Sequence, residues 1–219
     1  MYGNNIQNLL SSFNSYKAEI ILLSDKSYSE SGSISDISGM VGCYQASFTP
    51  IKSGTYNISI SIDNILIPEI EIVVKPSVAD YTKSIATILN VKSSYIVGEY
   101  IQFKIISYDI NENLVDTDTS SQYKIIPLGA DTSNSLNNLE YIAQSSGNGI
   151  FTYNLQITYI DTYTFIVKLN NNDIINSPFS NIKFTPDIAR HYCIITTYVT
   201  SNVVEIVIMF IRLNYMINI

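Results

Sequence analysis

The chain has 219 residues, 46% of them hydrophobic, which is enough apolar surface for more than one small core. Its formal net charge of −7, with only 12 lysines and arginines, leaves no basic patch, so we expect no nucleic-acid partner. Cys43 and Cys193 are too few for a disulfide framework or a zinc site, and we expect two unconnected thiols.

The first third of the chain contains five predicted strands, because apolar residues recur at every second position. In one of them Tyr56, Ile58 and Ile60 alternate with Asn57 and Ser59, as in an antiparallel strand with one buried face. In the lettering of an immunoglobulin-like sandwich, the strands are C near 16–23, D near 33–37, E at 42–48, F at 55–62 and G at 67–74.

A short linker, Pro76 to Asp80, leads into a second set of seven predicted strands. They are A at 84–91, B at 101–105, C at 123–128, D at 139–143, E at 150–157, F at 163–169 and G at 179–184. Short strands joined by polar turns, without a helical period, are typical of an antiparallel β-sandwich.

The two sets of strands are related by an internal repeat. Gly42 and Tyr56 align with Gly149 and Tyr163 at one separation, since 149 − 42 = 163 − 56 = 107 residues. A period of roughly 100 residues is the length of an immunoglobulin-like unit. The sequence therefore predicts an all-β fold of tandem immunoglobulin-like antiparallel β-sandwiches.

The end of the second set combines a Gly-x-Phe pair, a Tyr-x-Phe-x-Val strand and a Ser-Pro-Phe triplet before the last strand. The residues are Gly149, Phe151, Tyr163, Phe165, Val167, Ile175, Ser177, Pro178 and Phe179. This combination resembles the second half of a filamin-type repeat, and the first set shows the family's Pro50 and Gly54 turn. Asp161 stands where that family usually has glycine, a small departure because aspartate tolerates turn geometry.

The resemblance divides the chain into three segments. Residues 1–76 would be a filamin-type repeat without its strands A and B, 77–186 a complete repeat, and 187–219 a linker with the start of a third. Met1 to Asn5 resembles the turn that follows strand B, so we expect a piece of a longer array. An incomplete sandwich exposes an unpaired edge and part of a core face, so the first repeat should be marginal alone.

The apolar stretch 203–211 resembles a strand B. Glu205 interrupts it, and it is shorter than the roughly 18 residues of a membrane span, so we expect no membrane contact. Two interpretations stay open. The tail stays apart from the repeats, or it supplies the missing edge of the first repeat in cis by strand addition.

No catalytic group of residues is visible, and we expect a non-enzymatic protein without a metal or a cofactor. His191 is the only histidine, and no orienting partner accompanies it. Asp116, Asp118 and Asp131 are spread through predicted loops without the dense ligand spacing of a calcium loop. We interpret them as solvated loop carboxylates.

The resemblance implies a partner-binding groove between strands C and D, where a peptide adds as an extra strand to an open sheet edge. In the second repeat the groove residues would be Tyr123, Ile125, Ile126, Leu139, Tyr141 and Ile142. The inward-facing half of this set must fill the sandwich instead, and the sequence leaves open which half that is.

By resemblance, the chain would be a scaffold module of a filamin-like cytoskeletal protein in the cytoplasm. Its partners would be peptide segments of other proteins, with the actin cytoskeleton reached through other parts of a longer protein. The alternative is an extracellular adhesion or cell-surface array of the same repeats. A glycan at Asn57, which begins an Asn-x-Ser sequon, or a bridge between Cys43 and Cys193 would support that alternative.

Overall fold

The computed structural model describes residues 16–38, 43–62 and 65–187, together with the backbone of 191–200 and 203–212. Within these ranges the chain forms strands, turns and irregular segments and no helix, which confirms the predicted all-β class. The chain divides into two compact units. One contains Met1–Ile85, Ile106–Ser121 and Ser145–Ile150, and the other Ala86–Ile105, Gln122–Gln144 and Phe151–Ile219.

The first repeat contains strands at the five predicted places and two further short strands. They are β1 (Tyr16–Leu22), β2 (Ser29–Ser31), β3 (Ser33–Asp36), β4 (Tyr44–Ser47), β5 (Gly54–Ile62), β6 (Ile65–Leu66) and β7 (Ile70–Val74). One sheet has the order β2-β1-β5-β6 with β7 also paired to β5, and β3 pairs with β4 in a second sheet. Ile20, Leu22 and Tyr56 form its buried core.

The second repeat forms two sheets. Its strands are β8 (Ile85–Ile88), β9 (Tyr95–Ile96), β10 (Tyr100–Ile106), β11 (Tyr123–Gly129), β12 (Tyr141–Ile142), β13 (Gln144–Gly147), β14 (Ile150–Gln156), β15 (Asp161–Leu169), β16 (Asn172–Asp173) and β17 (Phe179–Thr185). The sheet orders are β13-β14-β10-β8 and β12-β11-β15-β17-β9. The rings of Phe103 on β10 and Phe165 on β15 lie 5.4 Å apart, so the sheets pack face to face.

The predicted strand D of the second repeat, 139–143, contains only one short strand, and a separate strand that was not predicted follows it in the other sheet. Tyr141–Ile142 pairs with β11, whereas Gln144–Gly147 belongs to the other sheet beside β14. The chain changes sheets at Ala143, which is buried. Alternation marks a strand and its buried face but not the sheet to which the strand belongs, so the sequence could not show this crossing.

The internal repeat appears again in the register of paired strands. Tyr16 lies opposite Ile62 in the first repeat, and Tyr123 lies opposite Leu169 in the second. Both positions differ by the same number of residues, since 123 − 16 = 169 − 62 = 107. The two repeats therefore build their strands C and F in the same register.

Each repeat also contains a tyrosine corner, in which a tyrosine near the start of strand F bonds to the backbone just before it. The Tyr56 hydroxyl donates to the Lys52 carbonyl oxygen at 2.7 Å. The Tyr163 hydroxyl makes the corresponding, longer contact of 3.5 Å to the Tyr159 carbonyl oxygen. The topology, register and corners together identify both repeats as immunoglobulin-like β-sandwiches.

The tail forms an antiparallel hairpin of β18 (His191–Thr200) and β19 (Val203–Arg212). In its register Cys193 lies opposite Phe210, and Ile195 lies opposite Ile208. The side chains of this hairpin lie outside the described part of the chain, and so do residues 1–15. The interpretations of His191, of a bridge from Cys193 and of the first five residues therefore stay predictions.

Candidate functional site

The six predicted groove residues divide into a buried pair and an accessible group. Tyr123 and Ile125 are completely buried in the core of the second repeat, so they are the inward half of the set. The other four keep exposed surface and are Ile126, Leu139, Tyr141 and Ile142. Strand β11, strand β12 and the loop between them bring all six to one edge of the sheet.

The outer edge of β11 is closed by the chain that follows it. The Ala143 amide donates to the Tyr123 carbonyl at 2.8 Å, and the Asn138 amide donates to the Pro127 carbonyl at 3.2 Å. Between these bonds β12 pairs with β11, and Pro127 has no N–H to offer. A partner strand could add here only after residues 138–143 had left the edge.

The corresponding edge of β1 in the first repeat is closed in the same way. Strand β2 pairs with β1, the Gly32 amide donates to the Ala18 carbonyl at 2.9 Å, and the Leu22 amide donates to the Tyr28 carbonyl at 3.1 Å. Strand addition requires a row of available backbone groups, and neither strand C presents one. Sequence reasoning missed this closure because irregular backbone that returns to a sheet edge leaves no periodic signal.

An open apolar cleft lies between the two sheets of the first repeat. Its volume is about 210 Å³, and its lining side chains are Tyr16, Ile34, Tyr44, Ala46, Ile60, Ile62 and Ile67. Tyr16 is 48% exposed and Ile67 is 39% exposed, although their positions face the core side of the sheet. Exposed apolar surface of this kind marks a contact surface more often than a defect.

The equivalent place in the second repeat is filled. Adding 107 to the positions of Tyr16, Ile60 and Ile62 gives Tyr123, Val167 and Leu169, which are at most 2% exposed. Strands β8 and β10 complete the sheet beside β14 there, whereas β4, the equivalent of β14, belongs to a two-stranded sheet with β3. The cleft therefore corresponds to the space beside β8 and β10 in the second repeat.

A buried carboxylate organises the loop after β10. Asp109 is 1% exposed and accepts bonds from the amides of Ser77, Asn111 and Asn113, each at 2.9 Å. Burial raises the pKa of this carboxyl, but the bonds from Asn113, Ser77 and Asn111 outweigh it and hold the pKa below its usual value. Asp109 thus stays ionised at neutral pH and ties the linker to the loop.

Asn113 extends this arrangement to a turn of the first repeat. Its side-chain amide donates to the Ile51 carbonyl at 2.8 Å, and its side-chain oxygen accepts from the Ser53 amide at 2.8 Å. Both of these turn residues belong to the same compact unit as Asn113. Reciprocal bonds from one side chain fix the loop against the turn in a single orientation.

Two of the three aspartates that might have suggested calcium hold turns instead, and the third, Asp116, is exposed. Asp118 accepts bonds from the Ser107 hydroxyl and from the amides of Ser120 and Ser121, and Asp131 accepts from Ser133. Burial raises the pKa of Asp118, but its three serine partners hold it below the usual value. The described residues contain no group of three or more potential metal ligands.

The sequon at Asn57 and the thiol of Cys43 both bear on a surface location. The Asn57 side chain is half-buried and donates through its amide to a Glu69 carboxylate oxygen, so the sequon is held within the sheet. Cys43 is an exposed free thiol. Of the described residues, none belongs to a helix long and apolar enough to cross a membrane.

Comparison with known proteins gives similarity of fold only. No protein-family model matches the chain, and no curated protein matches it. The filamin-type resemblance therefore has no support from either comparison.

Three solved structures show how far the similarity extends. FdeC, an Escherichia coli adhesin, is 11% identical, with a TM-score of 0.47 over 78% of this chain and 53% of its own. Invasin, a bacterial integrin-binding protein, is 14% identical, with a TM-score of 0.38 over 82% and 34%. A Salmonella alpha-2-macroglobulin mutant is 11% identical, with a TM-score of 0.29 over 93% and 15%. The chain spans about half or less of each.

Proposed function

We propose that this chain is a non-enzymatic spacer and protein-binding segment of an extracellular adhesion or cell-surface array of immunoglobulin-like repeats. The observation that favours a cell-surface array over a cytoskeletal scaffold is that the outer edges of β1 and β11 are closed. A cytoskeletal scaffold of the filamin type would bind its partner peptides at that edge, and both repeats cover it with their own backbone. The descriptions of FdeC and invasin agree with a surface location, although the proposal does not depend on them.

The spacer role is supported by the bonds around the linker. The Ser77 amide is held by buried Asp109, and Asn113 holds the turn at Ile51 and Ser53. A linker of few residues that is bonded at both Ser77 and Asp80 has less freedom to bend. Such a joint suits an array that must hold a binding end at a distance.

The proposal is tested on cells that make the whole protein. Antibodies raised against residues 80–185 are applied to intact and to permeabilised cells, and a cytoplasmic protein serves as the control for leakage. We expect equal labelling of intact and permeabilised cells. Labelling that requires permeabilisation, together with sedimentation of the protein with actin filaments, would establish the cytoskeletal alternative instead.

Partner binding between strands C and D remains a second proposal. It is favoured by Leu139 and Ile142, which are exposed apolar residues beside the closed edge, at 45% and 50%. In this mode residues 138–143 would open before a partner strand pairs with β11. A protein partner that protects the β11 amides from hydrogen exchange while exposing those of β12 would support it.

A further inference from the structure

The open cleft of the first repeat has the shape and chemistry of a place for two apolar strands. All seven lining side chains are apolar or aromatic, and β14, the equivalent of β4, pairs with β10 in the second repeat. In that repeat Ile101, Phe103 and Ile105 of β10 are at most 1% exposed, because they fill the space between the sheets. A matching occupant must therefore offer large apolar residues at every second position of a strand.

The tail contains such a strand at the same sequence period. Adding 107 to Ile101 and Phe103 gives Ile208 and Phe210, so the two core residues of strand B recur unchanged. The same shift places Ile195 at the position of Ile88 on strand A. The hairpin register sets Ile195 opposite Ile208, which puts the strand A and strand B equivalents side by side. Arg212 departs from the pattern, at the end of the strand.

The direction of the chain favours a second copy as the source of these strands. In the second repeat, Asp80 bonds to Tyr108 just after the end of β10, and Val97 bonds to Thr185 just before its start. The chain thus enters at one end of β10 and leaves at the other, about 23 Å away for a seven-residue strand. In chain order, the hairpin β18–β19 therefore continues from the end of the second repeat that is opposite the linker.

We propose that residues 191–212 of one copy occupy the first-repeat cleft of a second copy and supply its strands A and B. The chain then associates head to tail, and each contact completes one immunoglobulin-like sandwich from two molecules. This inference concerns the chain's own association and does not depend on its location in the cell. The predicted in-cis completion and the occupation of the cleft by residues 1–15 are the competing outcomes.

The first test compares two double variants of the full chain by sedimentation velocity over a concentration series. I208Q/F210K places polar residues at the positions that correspond to buried Ile101 and Phe103. M209Q/I211K is the matched control, because it introduces the residues found at the corresponding outward positions, Gln102 and Lys104. We expect I208Q/F210K to weaken association more than about tenfold and the control to associate like the unmodified chain.

The second test mixes two chains that cannot associate alone. One carries Tyr16→Lys, which puts a charge at the exposed lip of the cleft and leaves the buried core intact, and the other carries I208Q/F210K. Each chain keeps one working half of the contact, so we expect monomers separately and a dimer, without larger species, on mixing.

Three results would overturn the inference. The unmodified chain could remain monomeric at all concentrations, as completion in cis or by residues 1–15 requires. Both double variants could lose association equally, as unspecific pairing of the hairpins requires. The mixture could fail to form a dimer while both chains keep the thermal unfolding transition of the second repeat, which shows that they are folded.

Discussion

The two repeats place the same residues in the same register and bury them to very different degrees. Tyr16 and Tyr123 occupy equivalent positions on strand C, yet Tyr16 is 48% exposed and Tyr123 is completely buried. On strand F, Ile60 is half-buried whereas its equivalent Val167 is fully buried. Alternation along a strand thus determines which face is apolar, and in the second repeat β8 and β10 lie against that face.

Other features are the same in both repeats. Tyr56 and Tyr163 are both fully buried, and both have the hydroxyl directed at a carbonyl four residues earlier. These corners depend on the turn between strands E and F and on strand C, which both repeats contain. The difference between the repeats is therefore confined to the side of the sandwich where strands A and B belong.

The largest expected effect is the difference in stability lost when each of the two equivalent tyrosines is replaced by alanine. Tyr123→Ala removes a fully buried ring that packs 4.9 Å from Phe151, and it should destabilise the second repeat by about 3–5 kcal/mol. Tyr16→Ala should cost the first repeat on the order of 1 kcal/mol, because half of the ring is already in water. Guanidinium unfolding of monomeric protein measures both, and equal losses would show that the cleft is not open in solution.

The next effect concerns the buried carboxylate. Asp109→Ala leaves the amides of Ser77 and Asn113 without their acceptor and should cost about 1–3 kcal/mol at pH 7. Because the folded pKa of Asp109 is lowered, its contribution is complete above the unfolded pKa of roughly 3.9 and is lost as pH falls through the folded value. Urea unfolding at pH 7 and pH 2 should show a smaller difference between the two proteins at pH 2, and a constant difference would refute the assignment.

A smaller effect tests what the repeats share. Tyr56→Phe removes the hydroxyl bond to Lys52 and should cost about 0.5–1.5 kcal/mol. Tyr163→Phe should cost a similar amount, because its hydroxyl also accepts a bond of 2.7 Å from the Asn134 amide. Chemical denaturation of the single variants measures both losses. A large loss in one repeat and none in the other would mean that the corners are not equivalent.

The smallest effect is expected at the covered edge of the second repeat. Leu139→Ser and Ile142→Ser replace exposed side chains and should change the stability by less than about 0.5 kcal/mol. Ile125→Ser, on the strand that pairs with β12, is the contrasting change, and it should unfold or strongly destabilise the repeat. A shift in thermal midpoint for the first two variants as large as that for the third would mean that the groove is packed rather than exposed.

Much of the fold could be predicted from alternation and from the 107-residue period. The predicted strand C at 16–23 is β1 at Tyr16–Leu22, and the predicted F at 163–169 lies within β15 at Asp161–Leu169. Gly149 is also explained, since its φ is +67° and a Cβ there would lie 2.6 Å from the Val115 carbonyl oxygen. These features are local, and local sequence determines them.

Less of the candidate site than of the fold could be predicted from the sequence. The six predicted residues lie at one sheet edge, but the backbone that closes this edge, including Asn138 and Ala143, belongs to a loop without periodicity. The cleft is open because the described part of the first repeat has no strands equivalent to β8 and β10. Whether a sheet edge or a sheet face is covered depends on contacts with other segments of the chain. The pattern of a single sequence does not encode such contacts.

The most direct test of the central claim is hydrogen exchange of strand F in both repeats, measured on monomeric protein by mass spectrometry. Strands β5 and β15 have the same register against strand C, so their paired amides are matched. If the first repeat is open at the place of strands A and B, β5 should exchange orders of magnitude faster than β15, and association should slow β5 alone. Equal protection of the two strands in the monomer would contradict this account.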